Sequence, residues 1–169
     1  MAYQKLQVSE ALAVIPSNVV AIPDPSTEVL SGSGDFSVPG TLTDVGTTFL
    51  SDGIQIMSPG PAIIYNTTDS VAYYVLDITD DLNLSITSIA GGSGVANYVI
   101  YNAATIGCVL YVGVAGDVDM VMSATNFPQV GGSAASVLFT AIPGGSFLPT
   151  QVIGVAATTT TATNIVALW

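Results

Sequence analysis

Histidine and arginine are absent from this 169-residue chain, lysine occurs once, at Lys5, and cysteine once, at Cys108. Each absence removes a class of function. Without histidine no side chain titrates unaided between about pH 5 and 8, and no Ser-His or Cys-His pair can form, so ordinary acid–base and nucleophilic catalysis are not expected. A lone lysine cannot displace the counterions of a phosphate backbone, which excludes a direct nucleic-acid partner. One cysteine permits no internal disulfide and no thiolate metal cluster. No catalytic, cofactor-binding or metal-binding residue is expected, and no cofactor.

Long apolar runs are scarce as well. Hydrophobic residues make up 50% of the chain, mean hydropathy is +0.65, and the last fifty residues, 120–169, hold no charge. Pro128, Pro143 and Pro149, with Gly131-Gly132 and Gly144-Gly145, cut that stretch into pieces shorter than the about 20 apolar residues a spanning helix needs. Alternating strands and Trp169 at the end also suit an outer-membrane barrel, but residues 1–10 carry no secretory signal, so no membrane partner is expected.

What is present is acid without a counterpart. Twelve carboxylates set the net charge at −11, yet only 8% of residues are charged, unlike the composition of an acidic disordered chain. The chain should fold around a real core. A folded monomer rarely leaves large uncharged, apolar patches open to water, so association is expected: a homo-oligomer, a trimer or a pentamer, or a place in a larger shell.

Helix signals are confined to residues 9–15, with Ser9 as a cap and Pro16 as a stop. Elsewhere short runs of Val, Ile, Thr and Tyr are punctuated by Gly, Pro, Asn and Asp, which reads as all-β. Two small β-barrel or β-sandwich modules are expected, one inserted into the other, with an extended N-terminal arm. Residues 1–28 form the arm and first strand of a base domain, 29–104 an inserted barrel of five or six strands, and 105–169 the remainder of the base. Pro16, Pro23 and Pro25 make the first segment either an arm that reaches a neighbour or a first strand with a prolyl exit.

Within the insert, 31–35 reads as a flexible Ser-Gly connector, and strands are expected at 40–49, 53–57, 62–66, 71–78, 82–86 and 96–102. The turns fall at Asp69-Ser70 and Asp80-Asp81. Residues 71–78 have the continuous apolar character of a strand covered on both faces. In the last part, 107–113 is a buried strand, 115–117 a turn and 118–122 a returning strand with Asp119 outward. Further strands are expected at 136–142, 151–157 and 163–168.

Few motifs invite chemistry. Asp77, Asp80, Asp81 and Asn83 offer oxygen ligands to a hard cation, but no EF-hand spacing accompanies them, and a solvated turn is the preferred reading. Asp117 and Asp119 form a carboxylate pair that would need partners across a cleft to cleave glycosides. The glycine loops at 91–94 and 131–133 lack the lysine of a phosphate-binding loop. Asn66-Thr67-Thr68 and Asn83-Leu84-Ser85 match the glycosylation sequon. Tyr73, Tyr74, Tyr98, Tyr101 and Tyr111 are either a carbohydrate platform or cross-strand packing, the latter preferred.

Three ordered blocks look familiar. Leu110-Tyr111-Val112-Gly113-Val114-Ala115-Gly116-Asp117-Val118, then residues 139–152 around Ile142-Pro143-Gly144-Gly145-Ser146-Phe147-Leu148-Pro149, then residues 160–169 ending Asn164-Ile165-Val166-Ala167-Leu168-Trp169 together resemble the C-terminal pattern of small virion proteins of tailed bacteriophages. The nearest likeness is to head spike-base proteins of phage-like gene transfer agents and to structural proteins of marine phages and cyanophages. In that pattern a proline-containing stretch, here similar to 14–23, runs almost directly into the Tyr-Val-Gly strand, so residues 29–104 read as an insertion. That insert resembles small β-modules of other phage structural proteins at 40–49, 63–69 and 97–101. The family carries glycine in the late threonine tract where this chain has Thr159, so the turn before the last strand is expected to differ.

The resemblance implies a non-enzymatic virion protein, a capsid decoration, cement or head spike-base protein, partnered with the major capsid protein or other virion proteins. The acid excess implies the outer surface of the shell, away from packaged DNA, after synthesis in the host cytoplasm. The alternative is a tail or baseplate adhesin that binds host glycans.

Overall fold

The Val-, Ile-, Thr- and Tyr-rich runs form twelve strands in a computed structural model that describes residues 8–56, 61–89, 94–123 and 135–169. They divide into two all-antiparallel sheets. Six strands make an open sheet: β1 (Ala11–Ala13), β8 (Cys108–Val114), β9 (Gly116–Met122), β10 (Val137–Ile142), β11 (Ser146–Val155) and β12 (Thr163–Leu168), in the order β1-β12-β8-β11-β9-β10. Alternation along β8 puts Cys108, Leu110 and Val112 inside, against Val118, Met120, Leu148, Val152, Ile165 and Ala167. Period-2 patterning therefore defines the face that packs.

The other six strands close into a barrel inserted between β1 and β8. They are β2 (Glu28–Asp35), β3 (Thr41–Thr43), β4 (Ile63–Asn66), β5 (Val71–Ile78), β6 (Asn83–Ile86) and β7 (Val95–Tyr101), in the order β2-β3-β6-β5-β4-β7. Inside lie Phe36, Leu42, Phe49, Ile64, Tyr73, Val75, Leu84, Tyr98 and Ile100. The outer wall of β4, β5 and β7 is covered too. Ile63, Tyr65, Ala72, Tyr74 and Tyr101 pack against Val20 and Ala21 of the N-terminal segment. That second core explains why β5 reads as apolar on both faces.

Residues 14–24 join the modules. Val14 N–H donates to Ile165 O at 2.9 Å, Ser17 N–H to Val155 O at 2.8 Å and Ile22 N–H to Ile153 O at 2.9 Å. The outgoing and returning chains also touch, with Asp24 N–H on Ala103 O at 2.9 Å and Thr105 N–H on Ile22 O at 2.8 Å. Within residues 8–23 β1 pairs along β12, and Val14, Ser17 and Ile22 hydrogen-bond to the base sheet. Lys5 lies outside the described residues.

Several expectations need correction. Residues 9–15 are not helical, because β1 pairs with β12 and Ser9 N–H is taken by Trp169 O at 2.7 Å. The supposed Ser-Gly connector is most of β2, and its glycines are required there by close approach. A Cβ at Gly34 would lie 2.5 Å from Leu42 Cδ1 and 2.9 Å from Thr43 O, and one at Gly32 would lie 2.8 Å from the Tyr98 hydroxyl. The strand expected at 40–49 stops at Thr43, where Asp44 turns inward and accepts the Gly46 N–H at 2.8 Å. Gly53 sits in a turn at φ +74°, so no strand forms over 53–56; Met57 lies outside the described residues. The turn expected at 115–117 is tighter, since β9 already begins at Gly116.

Candidate functional site

The strongest site is built around Asp119, which the sequence reading turned outward. In fact Asp119 is only 7% exposed, on a strand whose neighbours Val118, Met120 and Val121 are all buried. Its backbone is held on both sides: its N–H reaches Thr160 Oγ1 at 3.1 Å, and its C=O accepts from Ala156 N–H at 2.8 Å. The Thr159 hydroxyl donates to Asp119 Oδ2. Oδ1 is buried and has no hydrogen-bond partner.

That carboxylate lines a cavity of about 410 Å³ together with Ser17, Asn18, Val121, Ser136, Ala156, Thr158 and Thr159. Asn18 organises one wall. Its Oδ1 accepts from Ala157 N–H at 2.9 Å and its Nδ2 donates to Thr158 Oγ1. Ser17 Oγ accepts from Val20 N–H at 3.1 Å, which leaves its own proton available. The cavity is thus lined by the Asp119 carboxylate together with the hydroxyls of Ser17, Thr158 and Thr159. No cationic side chain occurs anywhere among the described residues.

Asp117 does not join this site. Its Oδ1 accepts the Ala141 N–H at 2.8 Å and its N–H donates to Thr161 Oγ1 at 2.8 Å, so it staples the strand bulge and the threonine tract. The acidic turn is likewise self-contained. Asp80 accepts from Leu82 N–H and from Asn83 Nδ2, both at 2.8 Å, and the backbone hydrogen bond from Leu82 holds its carboxyl below the usual range. Asp77 Oδ1 turns to Ile78 N–H at 2.9 Å. Among the described residues no group of three or more acidic, histidine or cysteine side chains is placed to hold a metal.

The tyrosines are mostly inside. Tyr73, Tyr74, Tyr98 and Tyr101 are buried, Tyr98 donating to Asp44 Oδ2 at 2.7 Å within the barrel and Tyr74 accepting the Ala21 N–H at 3.1 Å. Among the described tyrosines only Tyr111 lies on an outer face, its ring 5.2 Å from that of the exposed Phe147. Asn66 is fully buried and locked to Asp69, while Asn83 is held by Asp80 and Thr43, so neither sequon offers a free amide. Of the glycine loops only Gly94 falls within the described residues; 91–93 and 131–133 lie outside them.

Cys108 is no nucleophile. Burial pushes its thiol up to about 12, and Sγ rests 3.2 Å from Val152 O. A thiol held neutral does not attack.

Sequence reasoning missed Ser17, Asn18, Thr158 and Thr159 as one wall, because they come from segments about 140 residues apart. One signal was legible: a lone Asp inside the apolar run Val118-Asp119-Met120-Val121. Thr159 is not among the residues at positive φ; Asn164, the second residue of β12, is, at φ +55°. Compared with protein-family models, curated proteins and solved structures, the chain gives no match.

Proposed function

We propose that this chain is a non-enzymatic virion structural protein of a tailed phage, a capsid decoration, cement or head spike-base subunit on the outer surface of the shell. Segregation of charge carries the reading. Eight of the twelve carboxylates, from Glu28 to Asp81, belong to the barrel, whereas β10, β11 and β12 contain none. The base sheet leaves Val114, Val137, Leu138 and Phe147 about half exposed, a surface suited to burial against a neighbouring subunit or a capsid protein. The acidic barrel then faces solvent and keeps the particle dispersed. The three C-terminal blocks that resemble phage virion proteins all lie in this sheet.

The mechanism is mechanical. A subunit that buries its base against two neighbours adds contact area that must be broken before the shell opens, and obligate contacts are the apolar, charge-poor ones. A glycan-binding adhesin is the second reading, now supported only by the exposed Tyr111–Phe147 pair. Particles stripped of this protein distinguish the two. Re-added chain should co-sediment with them at a fixed ratio, and Phe147→Asp with Leu138→Asp should weaken that binding at least about tenfold. Saturable glycan binding without any affinity for particles would overturn the reading.

A further inference from the structure

We infer that the Asp119 cavity is a socket for a cationic side chain, lysine or arginine, supplied by a partner protein. The inference stands independently of the virion reading. It begins from Oδ1 of Asp119, a buried acceptor with nothing to accept from. Leaving such an atom unpaired is costly, and a charged group makes it costlier. The surrounding chain could have satisfied it and does not: Thr159 serves the other oxygen, and Thr160 serves the backbone.

The cavity beside it favours a cation over other donors. Ser17 and Thr158 set hydroxyl oxygens beside the carboxylate, which suits an ammonium or guanidinium group that donates several hydrogen bonds at once, while Thr159 only occupies the second carboxylate oxygen. Among the described residues no aromatic side chain lines it, so the usual stacking surface for a sugar ring is missing from them. A calcium ion would want more carboxylates than the single one present. Charge complementarity points the same way. With twelve acids in the chain and no cationic side chain among the described residues, a partner's lysine or arginine is the complementary group, and it would add specificity as well as contact.

The test is a nuclear magnetic resonance titration of the full chain with N-acetyl-arginine methylamide and N-acetyl-lysine methylamide. At least one should produce saturable shifts at the amides of residues 118–120 and 158–160, with little change at the exposed Asp80 turn. Asp119→Asn should weaken that binding at least about tenfold. Thr159→Val, which frees the second carboxylate oxygen, should retain or strengthen it and so separates loss of the socket from loss of the fold. The proposal is overturned if neither probe saturates, if Asp119→Asn binds as well as the parent, if Thr159→Val folds but binds nothing, or if calcium or a neutral monosaccharide shifts these amides in place of the cations.

Discussion

Burial of neutral acids sets how this protein responds to alkali. Desolvation raises the Cys108 thiol from near 9 to about 12 and raises Tyr65, Tyr74, Tyr98 and Tyr101 in the same direction. Each folded-state value lies above its unfolded value, so the unfolded chain releases these protons first as pH climbs. Their contribution to stability is whole below about pH 9 and is lost on the way to about pH 12. Urea midpoints should therefore hold to about pH 9 and fall beyond it, and a flat profile to about pH 11 would contradict this. A second residue works against the fold. Ala141 adopts φ +55° at the β10 bulge, a left-handed conformation that costs a side chain about 1–2 kcal/mol. Ala141→Gly should recover about 1 kcal/mol in urea unfolding, since its N–H on Asp117 is kept.

Strands were legible wherever apolar residues alternate or run on unbroken. Residues 163–168 match β12 throughout, 71–78 match β5, and the Asp69-Ser70 and Asp80-Asp81 turns fall where expected. Failures cluster where glycine or aspartate serves a contact distant in sequence. Ser31-Gly32-Ser33-Gly34 looks like a linker because its glycines answer to Leu42, Asp44 and Tyr98, which local composition cannot reveal. Asp119 misled for a related reason: alternation in β9 gives way to four buried residues in a row, because the N-terminal segment and the threonine tract cover its second side. Gly34→Ala tests the barrel half of this account. A methyl group pressed against the Thr43 carbonyl should cost about 1–3 kcal/mol of stability, whereas an unchanged midpoint would mean that β2 is the loose connector its composition suggests.

The two modules share a wall, so the molecule should behave as one unit. Val20 and Ala21 fill the outer face of the barrel while Ile22 enters the base core, and Trp169 closes the base by donating Nε1–H to Thr105 Oγ1 at 2.9 Å. Trp169 fluorescence reports on the base and the near-ultraviolet signal of the barrel tyrosines on the insert. Both should report a single midpoint in denaturant, because stripping one module exposes the apolar flank of the other. Two separated transitions would show independent domains. Rigid coupling also gives the charge segregation its meaning, for it fixes a barrel with eight carboxylates at one place and a sheet that carries only Asp117 and Asp119 at another. An electron cryo-microscopy map of the particle that carries the chain tests that orientation most directly. The account predicts Leu138 and Phe147 of the base sheet against the shell or a neighbouring subunit and the Asp80 turn in solvent; a map with the barrel against the shell, or with the chain at the tail tip, would contradict it.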